Sequence, residues 1–254
     1  MKKLILLTVL FVCLLSANDS TQRRIEIGID EKIGQTIPLT LEFFDEKGYQ
    51  VVLKDIIKKP TILNFVYFRC PGICSPILTE LTTIVNHLDM TIGKDYQIVT
   101  VSFDEREKPD LADAKRSNYF ALLNKQIPDE SWKFLTGDSA TIHQLTDAAG
   151  FMFKREGNDF LHAGTIIVVS PEGKIARYLY GTKYLPFDVK MAITEAAENR
   201  TGPTIARLLA YCYSYNPEGR KYVFDVTRVS GAVILFFAVV FVVYISVKPK
   251  KVKS

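Results

Sequence analysis

The sequence predicts an α/β fold, in which a mixed sheet is flanked by helices and followed by a C-terminal transmembrane helix. Short β-rich apolar runs alternate along the chain with segments whose apolar residues have helical spacing. The last two β-rich runs are separated only by a turn at residues 171–173, as in a hairpin. Near the C-terminus, residues 229–247 form an uncharged run that is long enough to cross a membrane.

The two ends of the chain indicate export and attachment to a membrane. Residues 1–17 have the charged start and short apolar run of a secretory signal peptide, which is either cleaved or retained as an anchor because its cleavage site is imperfect. Lysines cluster in residues 248–254, directly after the predicted membrane helix at residues 228–247, and such a basic tail stays cytoplasmic. We therefore expect the intervening domain on the exported side, in the periplasm or an equivalent compartment.

Between these ends the sequence predicts one domain and two connecting segments. Residues 18–36 are predicted to be a linker with an N-terminal edge strand, residues 37–199 the α/β domain, and residues 200–227 a juxtamembrane connector. The formal net charge of +4 owes much to the lysines near both ends, so the exported domain is nearly neutral. We therefore predict no nucleic-acid partner.

The domain begins with a β-hairpin and a buried strand. Apolar and polar residues alternate before a turn at residues 45–48, apolar residues resume at 51–53, and a short helical turn is predicted at residues 53–57. Residues 61–68 are dominated by apolar side chains, as in a strand that is buried on both faces of a sheet. The next helix is expected to begin with Ser75 as its N-cap and Pro76 at its first position.

The later elements follow from the same two periodicities. In order, they are a strand at residues 96–103, a helix at 110–125, a strand at 132–135, a helix at 139–151, strands at 165–169 and 174–180, and a helix at 187–199. A strand, a cysteine-bearing loop and a helix, followed by a βα unit and a hairpin, is the plan of the thioredoxin-like fold. We therefore predict a thioredoxin-like domain.

Two cysteines lie at the junction between the buried strand and the helix that follows it. Cys70 is in a loop punctuated by proline and glycine, and Cys74 lies at the mouth of the helix, where unpaired N–H groups and the helix dipole favour a thiolate. Three residues separate the cysteines, one more than in the C-x-x-C motif of thioredoxins. The pair could therefore form a disulfide, act as a redox pair, or bind a metal.

A histidine is expected to approach this pair. His162 precedes the strand at residues 165–169, and in thioredoxin-like folds the loop at that place faces the two cysteines. Two thiolates and one imidazole suit a three-coordinate Cu(I) site, and added oxygen or water ligands would suit Cu(II). Zinc would require a fourth ligand.

The resemblance to a known family rests on the segments FVYFRCPGICSPILTEL, TVSFDEREKPD, FLTGD and FLHAGTIIVVSPEGKIARYLYG. Over about residues 33–197 the chain resembles the Sco/SenC family of membrane-anchored, thioredoxin-like copper proteins. The resemblance implies that Cys70, Cys74 and His162 are copper ligands. It also implies a partner, the copper-accepting subunit of cytochrome c oxidase, to whose dinuclear centre the protein delivers copper or whose cysteines it reduces.

The chain departs from the family pattern at two neighbours of the predicted ligands. Many members have a proline directly after the second cysteine and a serine or similar small residue after the histidine, whereas this chain has Ser75 and Ala163. Neither change removes a ligand, but hydrogen bonding around the ligands tunes metal affinity. The C-terminal membrane helix is a third departure, because an N-terminal anchor is commoner.

Two functions from different classes follow from these residues. In the first, a metallochaperone, Cys70 and Cys74 bind Cu(I) as thiolates, His162 completes the site, and the ion passes to an oxidase subunit by ligand exchange. In the second, a thiol-disulfide oxidoreductase, one cysteine attacks a disulfide of the oxidase or of another exported protein, and the other resolves the mixed disulfide. His162 discriminates between them, because only the copper site requires it.

Other residues capable of chemistry receive plainer interpretations. Asp104 and Asp138 match acidic loop positions of the family pattern, where either could assist Cu(II) or a partner contact, but each is interpreted first as a solvated loop carboxylate or an N-cap. His87 and His143 fall on predicted helices and are interpreted as surface or satisfied helix residues. Cys212 has no obvious partner, and three interpretations stay open for it: a small buried hydrophobic residue, which is favoured, an intermolecular thiol, or a resolving cysteine.

Overall fold

The structure, a computed structural model, describes residues 27–201, two short strands further along the chain, and four positions between 237 and 241. Within these residues no helix is long and apolar enough to cross a membrane. The predicted signal peptide, the basic tail, Cys212 and most of the predicted membrane helix at residues 228–247 lie outside the described residues. They stay predictions from the sequence.

Strands and helices alternate between residues 50 and 148, as the sequence predicts, and five consecutive strands follow between residues 151 and 180. In chain order they are β1 (Gly28–Ile29), β2 (Glu42–Phe44), β3 (Gln50–Val52), α1 (Leu53–Ile56), β4 (Thr61–Val66), α2 (Cys74–His87), β5 (Gln97–Ser102), α3 (Pro109–Phe120), β6 (Trp132–Leu135), α4 (Ser139–Ala148), β7 (Phe151–Met152), β8 (Lys154–Glu156), β9 (Asp159–Leu161), β10 (Thr165–Val169), β11 (Ile175–Tyr180), α5 (Pro186–Ala197), β12 (Tyr213–Asn216) and β13 (Lys221–Phe224).

The centre of the fold is a five-stranded sheet in the order β11-β10-β4-β5-β6. Strand β4 runs parallel to β5, and β5 runs parallel to β6, whereas β10 is antiparallel to both β4 and β11. The predicted mixed sheet is therefore confirmed. Every residue of β4, β5, β6 and β10 is buried, which indicates that both faces of the sheet are covered.

Three loops meet at one edge of this sheet. The parallel strands β4 and β5 end there, and β10, which runs the opposite way, begins there, with Ile166 opposite Asn64 and Val169 opposite Thr61. The topology thus brings together the cysteine loop after β4, the acidic loop after β5 and the histidine loop before β10. Residues that are distant in sequence become neighbours at this edge.

The prediction that Ser75 is the N-cap of α2 is wrong. The helix begins at Cys74, its N-cap is Ile73, and no side chain caps it. Instead, the Sγ atom of Cys70 accepts hydrogen bonds from the backbone N–H groups of Gly72 and Cys74. Because a sulfur atom already lies at the helix start, a serine is not needed as a cap there.

Sequence patterns missed the elements around residues 151–161. Strands β8 and β9 form an antiparallel hairpin, but all three residues of β8 are charged and exposed, so the segment has no apolar alternation. Strand β7 pairs with β1 rather than with the central sheet. The predicted N-terminal edge strand therefore exists in part, as β1, and its partner is this unpredicted strand.

Candidate metal centre

Cys70, Cys74 and His162 lie together at the edge where the three loops meet. One potential ligand atom of each residue lies within 4.8 Å of the others. The Sγ atom of Cys74 is 3.5 Å from Nε2 of His162, although 88 positions separate these residues in the sequence. Within the described part of the chain, no second group of three or more histidine, cysteine or acidic side chains has this geometry.

The two cysteines are free thiols with opposite electrostatic environments. The pKa of Cys70 is lowered well below its ordinary value, chiefly by a hydrogen bond from the Cys74 thiol, against the effect of burial. Smaller contributions come from the backbone N–H groups of Cys74 and Gly72. Cys70 is therefore the thiolate of the pair.

Cys74 holds the remaining proton, contrary to the expectation that its position at the start of the helix favours a thiolate there. Its side chain is 2% exposed, against 9% for Cys70. The hydrogen bond that it donates to Cys70, burial, and the negative charge of Cys70 all raise its pKa. The metal-free pair thus carries one negative charge, and a metal that binds both sulfurs must displace the proton of Cys74.

The orientation of His162 suits a metal ligand. Its Nδ1 lies 3.1 Å from the backbone oxygen of Ala163, which can only accept a hydrogen bond, so Nδ1 carries the proton. The lone pair of a neutral imidazole is then on Nε2, the atom nearest Cys74. Because the contact at position 163 is made by the backbone, the departure from the family pattern at Ala163 leaves it intact.

Aromatic rings surround the imidazole of His162. The ring of Phe103 lies 5.0 Å from it and is steeply inclined, and the rings of Phe151 and Tyr67 lie at 5.9 Å and 6.1 Å. Phe103 and Phe151 are buried in the core, and Tyr67 is nearly so. These contacts restrict the orientation of the imidazole. The aromatic rings also form an apolar wall, which excludes water from this side of the site.

The hairpin that leads to His162 is attached to the acidic loop by charged side chains. Asp104 is 1% exposed, accepts hydrogen bonds from Arg106, and lies 3.6 Å from Arg155 of β8. Burial alone would raise the pKa of Asp104, but the hydrogen bonds and charge of Arg106, with the charge of Arg155, lower it. The interpretation of Asp104 as a solvated loop carboxylate or N-cap is therefore wrong, because arginines compensate its burial.

The other residues considered from sequence do not join the site. Asp138 is the N-cap of α4 and accepts a hydrogen bond of 2.8 Å from the N–H of Thr141, which confirms one of its two interpretations and lowers its pKa. His87 and His143 are exposed on helices, as predicted. His87 bonds the backbone oxygen of its own helix, and His143 stacks on Phe153.

Glu107 is a neighbour of the site that the sequence patterns did not identify. Its side chain is buried beneath the cysteine loop and hydrogen-bonds the backbone just before Cys70. One signal pointed to it, since it follows the end of β5 at the edge where the site was expected. A charged residue in a polar loop is usually solvated, however, so that position alone did not predict its burial.

The donor set decides which chemistry the site can perform. Two sulfur atoms and one imidazole nitrogen are soft ligands that fit Cu(I), and the described residues provide no fourth side chain of the kind that a structural zinc site needs. The same two thiols can also form a disulfide, because their sulfur atoms are at most 4.8 Å apart. Metal binding and disulfide formation therefore exclude each other.

Comparison with solved structures agrees with this fold. A crystal structure of a protein from Aquifex aeolicus VF5 has a TM-score of 0.60 and 29% identity, covering 66% of this chain and 96% of the other. Arabidopsis thaliana ScoI, crystallised with copper bound, has a TM-score of 0.50 and 21% identity, covering 66% of this chain and 99% of the other. These likenesses confirm the predicted thioredoxin-like α/β fold.

Two sequence comparisons identify the family. The SCO1 protein homolog of Bacillus subtilis (strain 168) is 27% identical over 151 residues, which are 58% of this chain and 75% of that protein. The model of the family described as SCO1/SenC matches residues 31–197, which is more than half of the 254 residues. The protein therefore belongs to the SCO1/SenC family.

Proposed function

We propose that the protein is a membrane-anchored copper chaperone that delivers copper to the dinuclear copper centre of cytochrome c oxidase. The observation that carries this proposal is the approach of two thiols and one imidazole to within 4.8 Å of one another. Support comes from membership of the SCO1/SenC family and from the copper bound by Arabidopsis thaliana ScoI. The proposed acceptor is the copper-accepting subunit of the oxidase.

The three side chains would act differently as copper enters and leaves. The thiolate of Cys70 is available at once, Cys74 releases its proton as the second sulfur binds, and Nε2 of His162 completes the coordination. His162 is the most exposed of the three. An acceptor cysteine or histidine can therefore replace it first, and the two sulfurs can leave in later exchanges.

The proposed place of action is the exported side of a membrane. It rests on the sequence of residues 1–17, 228–247 and 248–254, which have the patterns of a signal peptide, a membrane helix and a basic cytoplasmic tail. With this orientation the cysteine loop would face the compartment in which exported domains of an oxidase acquire copper.

A second function, thiol-disulfide exchange, is favoured by the unequal protonation of the cysteines. The thiolate of Cys70 would attack a partner disulfide, forming a mixed disulfide and releasing one partner thiolate. Cys74, after losing its proton, would then attack Cys70, which releases the second partner thiolate and leaves a Cys70–Cys74 disulfide. His162 has no required role in these two steps.

A transfer experiment separates the two functions. Reduced full-length protein in detergent is loaded with one Cu(I), or left metal-free, and mixed with the exported domain of the oxidase subunit in either its reduced or its disulfide form. A chaperone transfers copper to the reduced acceptor, and the His162→Ala variant does so poorly. If only the metal-free protein changes the acceptor, by reducing its disulfide, and His162→Ala does so equally well, the oxidoreductase function replaces the chaperone.

A further inference from the structure

The carboxylate of Glu107 is buried directly behind the cysteine loop. Glu107 is 1% exposed and lies in the loop between β5 and α3. Its Oε2 accepts hydrogen bonds from the N–H of Phe68 at 2.7 Å and from the hydroxyl of Ser102 at 2.6 Å. Its Oε1 accepts one from the N–H of Arg69 at 2.9 Å.

This arrangement is unusual because no described side chain forms an ion pair with the buried carboxylate, although Arg106 in the same loop interacts with it electrostatically. Among the described residues, no lysine, arginine or histidine forms an ion pair with Glu107, whereas the neighbouring Asp104 has two arginine partners. A buried carboxylate is unfavourable unless its oxygens are hydrogen-bonded. Here that compensation comes from three donors, and two of them are the backbone N–H groups immediately before Cys70.

The same contacts provide hydrogen-bond acceptors for backbone N–H groups of the cysteine loop. Strand β4 ends at Val66, and the N–H groups of Phe68 and Arg69 lie beyond it. The carboxylate satisfies those of Phe68 and Arg69, and the following N–H, of Cys70, bonds the oxygen of Tyr67 at 3.2 Å. Two consecutive N–H groups held by one rigid carboxylate restrict the direction in which the chain reaches Cys70.

We propose that Glu107 is a positioning residue, whose carboxylate holds the loop before Cys70 so that its sulfur faces Cys74 and His162. Where it concerns copper, this inference rests on the proposed function. It also makes a claim that needs no metal, namely that Glu107 sets the effective concentration of one thiol towards the other. The two claims can fail separately.

The variant that tests this proposal is Glu107→Gln. Glutamine keeps the size of the side chain, but its amide nitrogen donates, so in either orientation one of the two backbone N–H groups faces another donor. The matched control is Glu195→Gln. That carboxylate is also buried, but it pairs with Arg177 of β11 and has no contact with the cysteine loop. It reports the general effect of neutralising a buried carboxylate.

The first measurement is made on metal-free full-length protein equilibrated with glutathione. Forming the Cys70–Cys74 disulfide consumes one oxidised glutathione and releases two reduced ones, so at constant pH the midpoint depends on the proximity of the two thiols and on their protonation, which the charge of Glu107 also affects. We expect Glu107→Gln to need a glutathione mixture that is about tenfold more oxidising. We expect Glu195→Gln to stay within about twofold of the parent, even where its melting temperature falls.

The second measurement is Cu(I) affinity by competition with a chelator. We expect Glu107→Gln to bind about tenfold more weakly than the parent, and Glu195→Gln to bind like the parent. If the parent does not bind Cu(I), the proposed function fails and the glutathione result still decides the role of Glu107. If Glu107→Gln changes only the melting temperature and keeps the parent's midpoint, the positioning role is overturned.

A second variant keeps the test decisive if Glu107→Gln does not fold. Ser102→Ala removes one of the three donors and leaves both backbone contacts in place. We expect it to shift the glutathione midpoint in the same direction by about threefold, since the carboxylate is less firmly held. A midpoint identical to that of the parent would contradict the proposal.

Discussion

The Sγ atom of Cys74 lies 3.5 Å from Nε2 of His162, and this contact joins the start of α2 to the loop before β10. It exists because β10 runs antiparallel to β4 and begins at the edge where β4 ends. A strand direction thus determines which side chains share the site. The contact also means that the imidazole can act on the thiols only while its own loop stays in place.

The unequal protonation of the thiols predicts which of them reacts first. Alkylation of the metal-free protein should modify Cys70 before Cys74, and its rate should reach half-maximum well below the ordinary thiol pKa of about 8.5, because that pKa is lowered in this site. In Cys74→Ala the principal hydrogen bond to Cys70 is lost, so the midpoint should move upward. Mass spectrometry of protein labelled across a pH series measures both. Preferential labelling of Cys74 would contradict the assignment.

Asp104→Asn should loosen the hairpin that carries His162. The substitution removes the negative charge that holds Arg106 and Arg155. We expect the free energy of unfolding to fall by about 2 kcal/mol. This loss is smaller than for a fully buried ion pair, because both arginines are partly exposed. Cu(I) affinity should also fall, by about tenfold. Asp138→Asn is the control, since this N-cap affects α4 alone and should leave Cu(I) affinity unchanged.

The lowered pKa of Asp104 also predicts a pH dependence. A carboxyl group whose pKa is lower in the folded state stabilises the fold fully above its unfolded pKa of about 3.9, and this stabilisation is lost as the pH falls through the lowered value. Urea unfolding below about pH 4 should therefore show a steeper loss of stability in the parent than in Asp104→Asn. Parallel pH profiles would show that the buried carboxyl is not the group involved.

Ala163→Ser should leave copper binding almost unchanged. The contact that orients His162 is made by the backbone oxygen of residue 163, so the side chain at this position has little influence on the ligand. We expect the Cu(I) affinity to stay within about threefold of the parent in chelator competition. A larger change would indicate that the side chain at 163 contributes to the site.

Two glycines with similar backbone angles should respond very differently to alanine. Gly150 has φ of +64°, and an added Cβ would lie 1.8 Å from the backbone oxygen of Asp30. Gly157 has φ of +62° and open space around it. Gly157→Ala should lower the free energy of unfolding by about 1 kcal/mol, because of the backbone angle alone. Gly150→Ala should lower it more, because β1 must also move away from β7. Thermal unfolding of the two variants compares them, and equal costs would refute this contact.

The sequence predicted those parts of the fold that are repeated and buried. Strands such as β4 and β10 have unbroken apolar runs because both their faces are covered, and the helices have regular apolar spacing. The approach of His162 to the cysteines was predicted because the order of these elements is that of the thioredoxin-like fold, in which the loop before this strand faces the cysteine pair.

The features that could not be predicted depend on contacts between distant charged residues. Asp104 is buried because Arg106 and Arg155 compensate its charge, and Arg155 reaches it from β8, a strand of exposed charged residues with no apolar signal of its own. Glu107 is buried because backbone N–H groups donate hydrogen bonds to its carboxylate. Every residue type except proline has such an N–H group, so no sequence pattern indicates these contacts. Ser75 was predicted as a cap because the position of the Cys70 sulfur could not be known.

The most direct test of the copper site is a Cu(I) titration of the reduced, full-length protein and two histidine variants. His162→Ala removes the predicted third ligand, and His143→Ala removes an exposed helix histidine as a control. We predict that the parent and His143→Ala bind one Cu(I) with equal affinity, and that His162→Ala binds it more weakly by at least about tenfold. If His162→Ala bound copper as tightly as the parent, the three-ligand site would be contradicted and the chaperone function would give way to thiol-disulfide exchange.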